Sequence, residues 1–169
     1  MGFYGGSSMY ELGSTSDMVL FFDCINYVAQ QHPETNWSLI NDRLYRRYLR
    51  IEELDDASRL MDEIKVYFSK LPSTFIDWSN ESSSKPITTK LNAYLPTLED
   101  VFADYFKAFN HCISSAKSTH EAFQFESDYI YQPVKIGTTD IPNYILDKDI
   151  SLAEHDSLKD EPFWLQNHY

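Results

Sequence analysis

The sequence predicts an α+β domain, and three observations predict it. Apolar residues recur at helical spacing in three stretches, near residues 17–31, 51–70 and 97–116. Aromatic and β-branched residues gather in shorter runs at the N-terminus, at Phe75–Trp78 and at Phe125–Ile136. The length, 169 residues, suits a single domain over 1–169, which buries about 70 % of its unfolded surface and needs no staples. Three principal helices are therefore expected to pack on a small, mostly antiparallel sheet. Its strands are the N-terminal segment, a middle pair and the Phe125–Ile136 region.

Each element has a local reason. Met1 to Leu12 reads as an edge strand or an extended start, with Phe3, Tyr4, Met9, Tyr10 and Leu12 around Gly5 and Gly6, which mark a bulge or weaken regular pairing. Ser14, Thr15 and Ser16 offer capping hydroxyls, and Asp17 completes a capping pattern that opens a helix to Gln31. Its expected core face is Val19, Leu20, Phe22, Cys24, Ile25, Tyr27 and Val28. His32-Pro33 ends it. Leu44, Tyr45, Tyr48 and Leu49 suggest a short helix before the long one. The long helix buries Ile51, Leu54, Ala57, Leu60, Met61, Ile64 and Tyr67 or Phe68. Glu52, Glu53, Asp55 and Asp56 crowd the positive end of its dipole, and Lys65 and Lys70 lie towards the other end. Pro72 stops it.

Ser73–Trp78 and Ile87–Leu95 read as the middle pair of strands, joined by a mobile polar loop near 79–86. Thr97 and Asp100 repeat the capping pattern for the third helix, whose stripe is Leu98, Val101, Phe102, Tyr105, Phe109, Cys112, Ile113 and Ala116. The helix extends, or restarts, towards Phe123. The strand from Phe125 to Ile136 follows, then a turn at 137–140 and an extended piece to Ile150. Ser151 and Glu154 cap a short helix from Leu152 to Leu158, and Pro162-Phe163-Trp164-Leu165 is an apolar clasp that docks back on the domain.

The formal charge of −12 narrows the function. A nucleic-acid binder needs basic patches for phosphate, and an anionic membrane surface asks for the same. The acidic balance favours a basic protein partner instead. No segment approaches the ~20 apolar residues of a membrane span, and the N-terminus lacks the pattern of a signal peptide. Cys24 and Cys112, the only cysteines, fall on apolar helix faces and read as buried free thiols of a reducing compartment. A cytoplasmic protein is expected.

No constellation announces catalysis, a cofactor or a metal. His32, His111, His120, His155 and His168 lack metal-ligand spacing, and His120-Glu121 has no second histidine four residues on. Asp55-Asp56 and Glu99-Asp100 sit at helix starts, where electrostatics explains them; Asp160-Glu161 is the third acidic pair. Two clusters have binding chemistry. Arg43, Arg46, Arg47 and Arg50 can hold an anion through guanidinium forks, or pair with the acids just downstream. In the C-terminal third, Asp140, Asp147, Asp149, Glu154, Asp156, Asp160 and Glu161 face only Lys148 and Lys159. Tyr144 and Trp164 are interleaved with them. Carboxylates around aromatic anchors suit the lysines and arginines of a partner, and a solvated acidic loop is the simpler alternative. The twelve tyrosines divide the same way, between core and recognition surface.

The opening Gly2-Phe3-Tyr4-Gly5-Gly6, the stretch Leu44-Tyr45-Arg46-Arg47-Tyr48-Leu49-Arg50-Ile51-Glu52-Glu53-Leu54, continued by Ala57, Leu60-Met61 and Ile64, and the closing Pro162-Phe163-Trp164 together resemble bacterial immunity proteins. These are the inhibitors encoded beside contact-dependent growth-inhibition and other polymorphic toxins. The resemblance implies a small, non-enzymatic, cytoplasmic protein without a cofactor. It would bind the C-terminal domain of a cognate toxin, often a basic nuclease, and would touch neither nucleic acid nor membrane itself. No binding residue is carried over by motif. The expected contact set, Asp140 to Glu161 with Trp164, comes from charge and aromatic placement.

Overall fold

The computed structural model describes residues 1–78, 91–123 and 134–137, with Pro162 and Trp164. In these residues the fold is α+β, as the periodicity predicts. The strands are β1 (Gly2–Gly5), β2 (Ser8–Glu11), β3 (Tyr48–Leu49) and β4 (Val134–Gly137). They form one antiparallel sheet in the order β2-β1-β4-β3. The helices are α1 (Thr15–Gln31), α2 (Leu54–Phe68), the single turn α3 (Leu98–Val101) and α4 (Ala103–Phe123).

The N-terminal segment is a tight hairpin, not one edge strand. Phe3 stands opposite Tyr10, and Gly5 opposite Ser8. Two glycines make this possible. Gly6 turns the chain with φ of +56°, a conformation that L side chains rarely adopt. Gly5 lets α4 close on the sheet: a Cβ there would lie 2.3 Å from the Cys112 carbonyl oxygen. On its other side β1 pairs with β4, Phe3 meeting Ile136. The edge strand β3 completes the sheet, with Tyr48 opposite Lys135 and Leu49 opposite Val134.

The segment before α2 differs from the expected short helix. Leu39–Leu44 winds in wide, π-type turns and Tyr48–Leu49 is extended. The sheet edge offers Leu49 a buried site opposite Val134, and that tertiary pairing overrides the helical spacing.

Among the described residues, neither 73–78 nor 91–95 joins the sheet as a strand of the expected middle pair. Ser73–Phe75 is a 3-10 turn, and residues 91–95 hold a turn closed by Leu95 N–H on the Asn92 carbonyl. A single bridge between Pro72 and Thr97 is the pairing these stretches make. Pro72 has no N–H to give a ladder. Ser73 instead stitches the two stretches together: its amide donates to Pro96 O at 3.1 Å and its hydroxyl to Ala93 O at 3.2 Å. The polar loop expected near 79–86 lies outside the described residues, as do the extended piece to Ile150 and the helix expected at 152–158. Of the strand expected over 125–136, only its end is described, within β4.

The helices follow their caps. Ser14 Oγ accepts from Asp17 N–H at 3.2 Å while Asp17 Oδ2 accepts from Ser14 N–H at 2.8 Å. Thr97 and Asp100 do the same for α3. A break at Phe102 then separates α3 from α4, where one continuous helix is expected from the sequence. Their joint stripe, Leu98, Val101, Phe102, Tyr105, Phe109, Cys112, Ile113 and Ala116, is buried throughout. On α2 the buried face is Leu54, Ala57, Leu60, Met61, Ile64 and Phe68.

The core is aromatic, and Phe21 is its hub. Phe3, Phe22, Phe68, Phe102, Tyr105 and Phe106 ring it with centroids 4.8–6.5 Å away, mostly edge to face. One helix buries differently from expectation: on α1, Met18 and Phe21 are inside and Tyr27 is on the surface.

Candidate functional site

The arginine cluster lies on the turns from Leu39 to Ile51, between α1 and α2. Its acids come from the same segment. Arg43 Nε lies 3.1 Å from Glu53 Oε1, and the Arg50 backbone N–H donates to the other oxygen of that carboxylate at 2.9 Å. Arg46 Nε is 3.8 Å from Asp42, and Arg50 is 4.0 Å from Glu52. Glu53 is thus both the cap of the turn into α2 and the counterion of Arg43. Of the two uses open to the cluster, the geometry supports internal pairing.

Of the acidic C-terminal set, Asp140, Tyr144, Asp147, Asp149, Glu154, Asp156, Asp160 and Glu161 lie outside the described residues. Trp164 is described, and it faces inward. It is 3 % exposed, its indole N–H donates to the Tyr45 carbonyl at 2.6 Å, and its ring stands at 90° to that of Tyr45. An anchor for a partner must present its ring to the outside. This one fastens the clasp to Tyr45, which in turn packs on Phe22 of the core. The docking role expected for the clasp fits Trp164, and the partner-facing role does not.

Cys24 and Cys112 are buried free thiols. Burial pushes both thiols up to about 12, helped at Cys24 by the neighbouring Asp23 charge. A nucleophilic cysteine needs the opposite shift, since the thiolate attacks. His32 stacks on Tyr67 with centroids 4.0 Å apart and meets Glu34 at 3.1 Å, and His111 lies against Tyr10. His155 and His168 lie outside the described residues. Among the described residues no group of three or more His, Cys, Asp or Glu is placed to hold a metal ion, and no helix is long and apolar enough to cross a membrane. The acid pairs that are described have structural partners: Asp55 pairs with Lys117, Asp56 with Arg59, Glu99 with Lys65, and Asp100 caps α3.

The surface carries more than the core does. The outer face of α2, including Asp55, Arg59, Asp62, Glu63, Val66 and Lys70, lines an open depression of about 540 Å³. Val66 is half exposed there. At the C-terminal end of α1, Tyr27 packs on Phe75 with centroids 4.6 Å apart, and both rings reach the surface. Tyr94 stands almost wholly in solvent. Sequence reasoning placed Tyr27 in the core and Phe75 in a strand. The sequence signal that distinguishes them is polar company: Asp23, Asn26 and Gln30 share the Tyr27 face of α1.

Compared with models of protein families, with curated proteins and with solved structures, the chain matches none of them.

Proposed function

We propose that this chain is a non-catalytic inhibitor that binds and neutralises a basic protein toxin, a nuclease of tRNA, other RNA or DNA, in the cytoplasm of the bacterium that makes both. The observation that carries this reading is the distribution of charge. The net charge is −12. Of the ten lysines and arginines in the described residues, at least six lie within 4.0 Å of a carboxylate of the same chain: Arg43, Arg46, Arg50, Arg59, Lys65 and Lys117. Cations held this way offer little to an outside anion, and the acidic surplus is left to set the outward field. Such a field accelerates encounter with a cationic domain. A nuclease cleft is cationic because it holds phosphate, so carboxylates facing it replace the substrate's charges and the bulk of the domain closes the entrance.

The test is co-expression with the product of the adjacent reading frame. A toxic basic domain there should be neutralised and should co-purify with this chain in a fixed ratio. Its association rate should fall steeply between 50 and 300 mM salt, roughly in the manner of electrostatically steered pairs. A substrate turned over by the purified chain alone sinks the reading. So does a phosphate compound that raises the melting temperature of the wild type but not of Arg46→Ala or Arg47→Ala.

A further inference from the structure

The rings at the C-terminal end of α1 form a platform held in place before any partner arrives. Tyr27 projects from the outer face of α1 and is 38 % exposed; Phe75, packed on it, is equally so. Phe75 belongs to the 3-10 turn that Ser73 begins, and Ser73 is buried. Its hydroxyl and amide fix the 91–97 loop through Ala93 and Pro96, and its carbonyl accepts the Trp78 indole N–H at 3.0 Å. Tyr94 rides on that loop at 97 % exposure, its amide donating to Asn92 Oδ1 at 3.0 Å. A ring of this size left in water gains nothing for the fold. Tyr27 and Phe75, already packed on each other, lose little freedom on binding, which is what an interface anchor requires.

The electrostatics of the same surface specify the partner. The three described stretches that build it, Thr15–Glu34, Leu71–Trp78 and Leu91–Asp100, contain no lysine or arginine; residues 79–90, outside the described residues, carry Lys85, Lys90 and Glu81. They carry Asp17, Asp23, Glu34, Asp77, Glu99 and Asp100. Asp17 is buried in its cap, and Lys65 of α2 reaches Glu99 at 3.6 Å. Lys70, the lysine nearest Phe75 in sequence, is drawn over the Tyr67 ring, 5.4 Å from its centroid. Asp23 lies one helical turn before Tyr27, on the same face. Its pKa is raised by desolvation, with no cation offsetting the effect. The last turn of α1 has no basic residue, so its dipole adds partial negative charge at the same end.

We propose that Tyr27, Phe75 and Tyr94, flanked by Asp23 of α1, form a contact surface for lysine and arginine side chains of the basic partner domain. The rings receive the cations on their faces and shield them from water, while the carboxylate supplies the opposing charge. This rests on the inhibitor reading given above, and it locates an interface in addition to the acidic C-terminal segment.

The probe is the purified toxic domain from the adjacent reading frame, titrated against the full chain by calorimetry and stopped flow. Tyr94→Ala and Asp23→Lys should each leave the thermal midpoint close to that of the wild type. Together with Tyr27→Ser they should weaken binding roughly 30-fold or more, the scale of one interface anchor. Tyr94→Ala alone, at a side chain that packs on almost nothing, keeps the test clear of folding defects. Full affinity in the triple variant, with loss on reversing charge at Asp147, Asp149 and Asp156, overturns this surface and leaves the inhibitor reading standing. Failure of the wild-type chain to bind the domain overturns both. Self-association of the wild type that disappears in the triple variant assigns the platform to a second copy of this chain and also overturns the proposal.

Discussion

Phe21 and Tyr27 stand six residues apart on α1, and the molecule uses them in opposite ways. Phe21 is fully buried at the centre of six other aromatic rings. Tyr27 meets a single described ring, that of Phe75, and turns part of its own face to water. The difference is not hydrophobicity. Rotation along the helix puts Phe21 with Met18, Ile25 and Val28, and Tyr27 with Asp23 and Gln30. One aromatic population makes the fold, and the other, on the proposal above, is left for recognition. Mutations should separate the two, because stability and binding will respond to different rings.

The largest expected effect is at the hub. Phe21→Ala removes a ring whose neighbours come from β1, α2, α3's end and α4, and should cost about 3–5 kcal/mol of unfolding free energy in a urea titration. A loss below about 1 kcal/mol would break the contrast with the surface rings. Gly5→Ala comes next. The added methyl would press on the backbone of α4 at Cys112, and overpacking of this kind costs about 1–3 kcal/mol, read from the same titration.

The buried thiols give a pH-dependent test of the same interior. Their folded pKa of about 12 lies above the unfolded value near 9.0. Above pH 9 the unfolded chain releases thiol protons that the native chain keeps. Stability should therefore be indifferent to these groups below about pH 9 and should fall as pH rises towards 12. Native Cys24 and Cys112 should resist alkylation at pH 8 and react once urea unfolds the chain. Rapid labelling of either under native conditions would place it outside the core.

A smaller effect is expected at the α1 cap, where Ser14→Ala removes the hydroxyl that pairs with Asp17 and should cost about 1 kcal/mol. The smallest is Tyr94→Ala, expected to change stability by less than about 0.5 kcal/mol. If Tyr94→Ala destabilises as Ser14→Ala does, the separation between fold-making and outward rings fails at its outer end.

Much of the interior was legible because helix caps and stripes are local. Ser14 with Asp17, Thr97 with Asp100, and the α2 face from Leu54 to Phe68 need no knowledge of distant residues. On α1 the signal was ambiguous, since Val19, Leu20, Phe21 and Phe22 run consecutively and leave the stripe underdetermined. Tertiary effects were not legible. Tyr48 and Leu49 follow helical spacing yet pair with residues 134–135, far along the chain. Ser73 looked like the start of a strand, and its hydrogen bonds to Ala93 and Pro96 made a stitched turn instead. For the candidate site, the arginine cluster announced itself by composition, and Glu53 as its counterion was within view. The Tyr27–Phe75 contact joins α1 to a turn almost fifty residues later, and no spacing rule reaches that far.

The sheet order carries a consequence for timing. β1 is laid between β2 and β4, with Gly2 opposite Gly137, so β1 waits for a strand made more than 130 residues later. Until residue 137 leaves the ribosome, the hairpin has a bare inner edge and Phe3 lacks the floor that Ile136 provides. Closing so long a loop is slow. If the chain is the inhibitor proposed above, a partly made copy would neutralise nothing, and finished molecules would have to be in stock before the toxin arrives.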